Sequence, residues 1–279
     1  MISPTGLKAK VRNIAKEKGI SAQIVLQNYM LERFLERISK SNYRDKFIIK
    51  GGFLIASMVG LDTRSTMDMD ATLKGIPVDE ITIKNIFSEI AQIAINDDIT
   101  FIFTKIEEIR ENDDYSGFRV SLTANLPPLS VPLKFDITTG DKITPKEISF
   151  NYRLLFENRT IEVLSYNLET ILAEKIETII SRADLNTRPR DFYDVYILSK
   201  LYGQTINYDT LKSALKATSE KRGSIHLLTE YKNLLNKIWN SATMNNYWNN
   251  YCADFNYAKD IDFSVVCSSV EELLDEIYQ

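Results

Sequence analysis

A chain of 279 residues with 44% hydrophobic and 26% charged residues has the balance of a globular protein with a sizeable core, and its length predicts about two domains. Its formal charge of -4 gives no overall electrostatic footprint for nucleic acid, so a polynucleotide would have to be met by a local basic groove. No apolar run reaches the roughly 18 residues of a membrane span, and no charged-then-apolar leader opens the chain.

These features predict a cytoplasmic protein with no membrane association. The two cysteines, Cys252 and Cys267, form no metal-binding or redox spacing and are expected as reduced packing residues. A single histidine, His226, excludes histidine-rich metal sites and leaves any catalysis to carboxylates, lysines and a metal.

In chain order, residues 6–18 and 21–40 read as helices, with Gly19 ending the first and Ser21 capping the second. In the second, Ile24, Val25, Tyr29, Phe34, Leu35 and Ile38 recur at helical spacing, which places Glu32, Arg33, Glu36 and Arg37 largely outside. Phe47-Ile48-Ile49 leads into Lys50-Gly51-Gly52, residues 53–59 form a short apolar helix stopped by Gly60, and a polar loop delivers the chain into a strand over 67–73. Residues 79–95 return to helix. Strands are expected over 100–107, 115–124 and 131–138, the first two joined by the polar turn Arg110-Glu111-Asn112-Asp113-Asp114. In the third, Lys134 and Asp136 share one face, opposite Leu133, Phe135 and Ile137.

After Pro145 the pattern changes to successive helices over 167–182, 190–202, 208–220, 225–241, 244–256 and 269–278. The expected class is α+β: a mixed sheet with flanking helices in residues 1–155, then a helical domain in 156–279.

Chemistry concentrates in two places. Gly51-Gly52 opens a helix, where residues without a Cβ permit close approach of a phosphate to free N–H groups; the same pair is also an ordinary strand-to-helix turn. Asp68 and Asp70, two apart on a strand, project from one face and can converge on a Mg2+ ion, which is usually held by one or two carboxylates plus substrate phosphates. Strands are depleted in Asp, so the pair asks for a reason beyond two solvated acids. Asp136 is placed to be a third metal ligand on a neighbouring strand, or is an ordinary strand-end Asp. Ser65 and Thr66 can hydrogen-bond phosphate oxygens and Arg64 can neutralise one, unless all three simply form an exposed loop.

The second place is the helical half. Lys175 and Arg182 share a helix face, and Asp191 and Asp194 share another at a helix start behind Arg188, Pro189 and Arg190. Acids there complement a helix dipole; basic residues facing carboxylates would equally bind a triphosphate.

Taken together, these residues resemble the AbiEii/AbiGii family of nucleotidyltransferase-like toxins, within the polymerase-β-like superfamily. The resemblance runs over most of the chain, through Phe47-Ile48-Ile49-Lys50-Gly51-Gly52 and Arg64-Ser65-Thr66-Met67-Asp68-Met69-Asp70 to Ala173-Glu174-Lys175 and Arg190-Asp191-Phe192-Tyr193-Asp194. The glycine pair and Asp-x-Asp are common to the superfamily, and the later elements narrow it. The resemblance implies a nucleotidyltransferase-fold domain, a helical C-terminal domain and an active-site cleft between them. It further implies an NTP-dependent toxin (GTP in some members) of an abortive-infection defence, encoded beside a cognate antitoxin and adding nucleotides to tRNA 3′ ends. By position, Asp68 and Asp70 would be metal ligands and catalytic, Gly51 and Gly52 the phosphate loop, and Lys175, Asp191 and Asp194 the later catalytic motifs. Lys175 and nearby arginines are then expected to hold the triphosphate, Asp191 to position or deprotonate the acceptor, and Arg64, Ser65, Arg190 and Asp194 to lie beside the nucleotide. The family often has a hydroxyl residue after the glycines, where this chain has Phe53. The alternatives are transfer to a protein or small molecule, and an NTP-binding module that transfers nothing.

Overall fold

The structure, a computed structural model, describes residues 2–77, 79–111 and 115–278. It divides into two compact units, Met1–Asp141 with Ile148–Ser165, and Lys142–Glu147 with Tyr166–Gln279.

The first unit begins with α1 (Pro4–Lys18), where the Ser3 hydroxyl accepts from the Gly6 amide, and which ends at Gly19 in the left-handed conformation. Leu7, Val11 and Ala15, four residues apart, form its buried stripe. α2 (Ala22–Ser39) starts in the same way at Ser21. Then follow β1 (Phe47–Lys50), α3 (Gly51–Val59), β2 (Met69–Leu73), α4 (Glu80–Ala91), β3 (Thr100–Glu111), β4 (Tyr115–Leu126), β5 (Leu129–Thr139), β6 (Ile148–Arg153) and β7 (Thr160–Ser165). The centre of the expected turn between β3 and β4, Asn112-Asp113-Asp114, lies outside the described residues; the two strands pair antiparallel up to Glu111 and Tyr115.

The strands form one mixed sheet in the order β3-β4-β5-β2-β1-β7-β6. β2 runs antiparallel to β1 and parallel to β5, and β7 runs parallel to β1. β6 and β7 were not anticipated from sequence. Because β7 pairs with β1 and β6, the first unit extends to Ser165, whereas the sequence reading drew the boundary at residue 155.

One sheet face is covered by an aromatic cluster. Phe34 of α2 lies 5.4, 5.1 and 4.8 Å from the rings of Phe87, Phe101 and Phe135, and Phe87 also meets Phe47. Since Phe135 points into this cluster, its neighbour Asp136 projects from the other face, as the alternation predicted.

The charged side of α2 corrects the sequence reading. Glu32, Arg33, Glu36 and Arg37 are all buried, because long-range partners compensate them. Arg33 pairs with Glu32, Glu36 and Glu157, Arg37 grips both oxygens of Asp97, and Arg159 grips both oxygens of Glu36. Burial pushes the Glu32 carboxyl up to about 7 against the opposing Arg33 charge. Burial acts in the same sense on Glu36. There, hydrogen bonds from Arg159 and Lys40 and the Arg33 charge outweigh it and hold the group at about 2.

The second unit is helical: α5 (Leu168–Arg182), α6 (Pro189–Tyr202), α7 (Tyr208–Lys221), α8 (Tyr231–Trp239), α9 (Ala242–Asp254) and α10 (Phe263–Tyr278). Residues 225–230, expected to belong to a longer helix, form a 3-10 turn ahead of α8, and α10 begins six residues earlier than expected. Asn167 explains why Lys142–Glu147 joins this unit: its oxygen caps the Thr170 amide, while its nitrogen donates to the Thr144 and Lys146 carbonyls. Among the described residues no helix is long and apolar enough to cross a membrane.

Candidate active site

In the first unit the site is built around the β1–α3 junction. Gly51 has φ near +63°, a conformation that disfavours any side chain, and a Cβ there would lie 2.2 Å from Oδ2 of Asp70. The missing side chain is thus the space that Asp70 occupies. The Gly52 amide donates to the same oxygen at 3.2 Å, so the loop that opens α3 also anchors this carboxylate. A Cβ at Gly52 would meet Arg64 and Thr66 at 3.2 Å.

Asp68 does not lie in the strand expected over 67–73; β2 starts at Met69, and Asp68 is on the approach to it. That approach is held from α2. Gln27 donates to the Met67 carbonyl and Asn28 to the Thr66 carbonyl, each at 2.7 Å. Thr66 Oγ1 donates to the Asp68 carbonyl at 3.3 Å. Asp68 and Asp70 are both half-buried, so solvent reaches them. Arg64 and Ser65, expected beside a nucleotide or in an exposed loop, are buried, which rules out the exposed loop, and the Arg64 guanidinium donates to the Ser65 carbonyl. Phe53, where a hydroxyl is common in the family, is buried and stacks on Tyr152 at 5.6 Å, so the position serves the core.

Strand register gathers more charge than the sequence disclosed. Lys50 of β1 stands opposite Asp70 of β2, which stands beside Asp136 of β5, then Arg119 of β4 and Glu107 of β3. Residues at one register position project from one face, so these five form a row across the sheet. Lys50 bonds Asp141 at 2.7 Å, and Asp141 also accepts from Thr138. Arg119 closes on both oxygens of Asp136, Nε to Oδ1 at 2.7 Å and Nη2 to Oδ2 at 2.6 Å. These hydrogen bonds raise the guanidinium's pKa above the ordinary arginine value against the effect of burial, and the charges of Asp68 and Asp70 add to the rise.

Among the described residues, no group of three or more His, Cys, Asp and Glu side chains is arranged to hold a metal ion. Asp68 and Asp70, whose charges both act on Arg119, offer carboxylate oxygens of the kind Mg2+ accepts when substrate phosphates complete its shell. The Gly51 space and the Gly52 amide that seat Asp70 fit that role.

The helical unit holds the second constellation. Lys175 of α5 places Nζ 2.7 Å from Asp191 and 2.8 Å from Asp194, both on α6 and both fully buried. The register on α6 is set by Pro189 in its first turn, which suits Asp191 at a helix start. Arg188 Nε is 3.0 Å from Asp191 Oδ2. The contact is an ion pair by distance, while neither atom makes a well-aligned hydrogen bond. Arg190 is exposed and Arg182 half-exposed. Deeper along α5, Glu177 receives Arg222 and Ser224, a buried pairing with no counterpart in the motif reading.

Sequence reasoning missed Arg119, Asn28 and Gln27. The two amides lie next to each other on a helix otherwise read as apolar and charged, which is a usable signal. Arg119 has none without the register of β4 against β5.

The sequence pattern of the family described as "Nucleotidyl transferase AbiEii toxin, Type IV TA system" matches residues 33–276. No curated protein matches the chain. The fold is similar to that of a putative nucleotidyltransferase from Helicobacter pylori, with a TM-score of 0.52 and 16% identity over 92% of this chain and 97% of that one. A second solved structure, JHP933 from Helicobacter pylori, aligns with a TM-score of 0.49 and 16% identity over 92% of this chain and 93% of the other. The mixed sheet with flanking helices is therefore a nucleotidyltransferase-like core, followed by a distinct helical bundle. With the family pattern spanning both, the chain belongs to the AbiEii toxins, nucleotidyltransferase-type enzymes of toxin–antitoxin systems.

Proposed function

We propose that this chain transfers a nucleotide from an NTP, GTP or another, to the 3′ end of a tRNA, with Mg2+ on Asp68 and Asp70, and that it acts in the cytoplasm as a toxin restrained by a cognate antitoxin encoded nearby. The carrying observation is the seating of Asp70. The same glycine pair that opens α3 makes room for its carboxylate and donates to it. When bound, a divalent ion would supply positive charge at the phosphates undergoing substitution.

The chain's own residues do the rest. Gln27 and Asn28 hold the approach to Asp68 in place, and Gly52 orients Asp70. The amides of α3 beyond Gly52 and the positive end of its dipole favour a phosphate group at that helix start. In the helical unit Asp191 and Asp194 orient the Lys175 ammonium, which would hold the triphosphate.

Labelled NTPs are offered to the purified protein with separate pools of tRNA, protein and small molecules. Label is expected in tRNA and is lost in Asp68→Ala, together with growth inhibition in cells. A folded Asp68→Ala protein that still transfers label and still inhibits growth refutes the catalytic assignment. Label in protein or a small molecule overturns the tRNA assignment alone. Tight NTP binding with no labelled product in any pool favours a binding module.

A further inference from the structure

Asp136 stands beside Asp70 in register, which is where a third metal ligand would be expected. Yet its carboxylate is already engaged. Arg119, next in the row, meets it in a two-point contact at 2.7 and 2.6 Å, the geometry in which guanidinium and carboxylate match best. A divalent ion on Asp136 would be placed next to a fixed positive charge. On the far side of Arg119, Glu107 occupies the adjoining register position and Lys105 is tied to Glu107 at 2.6 Å, so the guanidinium is bracketed by acids on both sides of the row.

We propose that Arg119 is a positioning residue that withholds Asp136 from the metal, so that the site takes one divalent ion, on Asp68 and Asp70, and Arg119 itself supplies the fixed positive charge that a second ion would bring. This rests on the reading of Asp68 and Asp70 as metal ligands.

The test is Mn2+ binding to the full chain, followed by titration calorimetry and by the electron paramagnetic signal of free Mn2+. The wild-type protein is expected to bind one ion. Arg119→Met frees Asp136 and is expected to bind a second ion or to hold the first about tenfold more tightly, since affinity follows the charge and number of ligands. Arg119→Lys keeps the charge and is expected to keep the single ion. Asp136→Asn is expected to leave Mn2+ affinity within about threefold of wild type, because that carboxylate does not contribute a ligand. The proposal is overturned by two ions on the wild-type chain, by loss of Mn2+ in Asp136→Asn, or by a folded Arg119→Met protein that binds as wild type does. Should Arg119→Met fail to fold, Asp136→Asn decides alone. Asp70→Asn separates the two readings: if it binds Mn2+ as tightly as wild type, the metal assignment fails, and not the role of Arg119.

Discussion

Both units hold motif carboxylates, and they hold them in opposite ways. Asp68 and Asp70 are half-buried, and Asp70 is seated by a glycine space and a backbone amide. Asp191 and Asp194 are fully buried and share one lysine, Lys175, between them. Carboxylates that solvent reaches keep capacity for an incoming cation. Carboxylates sealed beside a lysine spend theirs on the fold and on orienting that lysine. Residues that read alike as catalytic motifs in a sequence can therefore carry different physical duties, and substitution separates them.

The largest effect is expected at Asp191. Asp191→Ala leaves the Lys175 ammonium with less compensation in a buried site and should destabilise the helical unit by about 3–5 kcal/mol. The readout is hydrogen exchange of the α5 and α6 amides. Asp70→Asn should change stability by about 1 kcal/mol or less while removing transfer. Equal exchange in wild type and Asp191→Ala would erase the contrast.

Glu36 offers a control in the first unit, a buried ion-paired acid to which no chemistry is assigned. Its folded pKa of about 2 lies below the ordinary 4.5, so its stabilisation is fully present above pH 4.5 and is lost as pH falls toward 2. Glu36→Gln should lower stability by up to about 3 kcal/mol above that window and by progressively less within it. Denaturant titrations from pH 2 to 6 measure this. Glu32, raised to about 7, acts in the opposite sense: its contribution is complete below pH 4.5 and fades as pH rises toward 7. The two windows do not overlap.

Gly51→Ala strikes the open site through its backbone. The left-handed conformation should cost about 1–3 kcal/mol. The displaced Asp70 carboxylate should lower transfer by about a hundredfold. A variant with wild-type transfer would show that the glycine serves only the turn. Asn28→Ala is the mildest, expected to cost about 1 kcal/mol through its lost bond to the Thr66 carbonyl. Its transfer should fall only severalfold, measured in the same labelling assay.

Local patterns carried much of this molecule. The helix expected over 6–18, the caps at Ser21 and Gly19, and the alternation around Asp136 all appear in the structure as the spacing predicts. What escaped was non-local. The partners that bury the α2 charges are Asp97, Glu157 and Arg159, at least 60 residues away along the chain, and no local periodicity discloses them. In β6, Phe150 and Tyr152 do alternate with polar residues, but the run is six residues long and faces solvent on much of its surface. The open site was legible as Gly51-Gly52 and Asp68-Met69-Asp70 because one junction carries both. Arg119 became visible only when β4 was laid against β5, since neither strand alone says which of its residues will be neighbours.

The charged row has a consequence for how the sheet finds its own order. A slip of β5 by one residue would turn Asp136 into the aromatic cluster and Phe135 out of it, which burial forbids. A slip by two would keep the faces correct but bring Lys134 or Thr138 beside Asp70 and part Asp136 from Arg119. The row penalises this second error, which apolar patterning alone would permit. Charges to which the proposed function assigns chemistry would thus also act as an address label for strand pairing. A descendant that lost them would risk mispairing its central strands, so the row should persist even in a relative that transfers nothing.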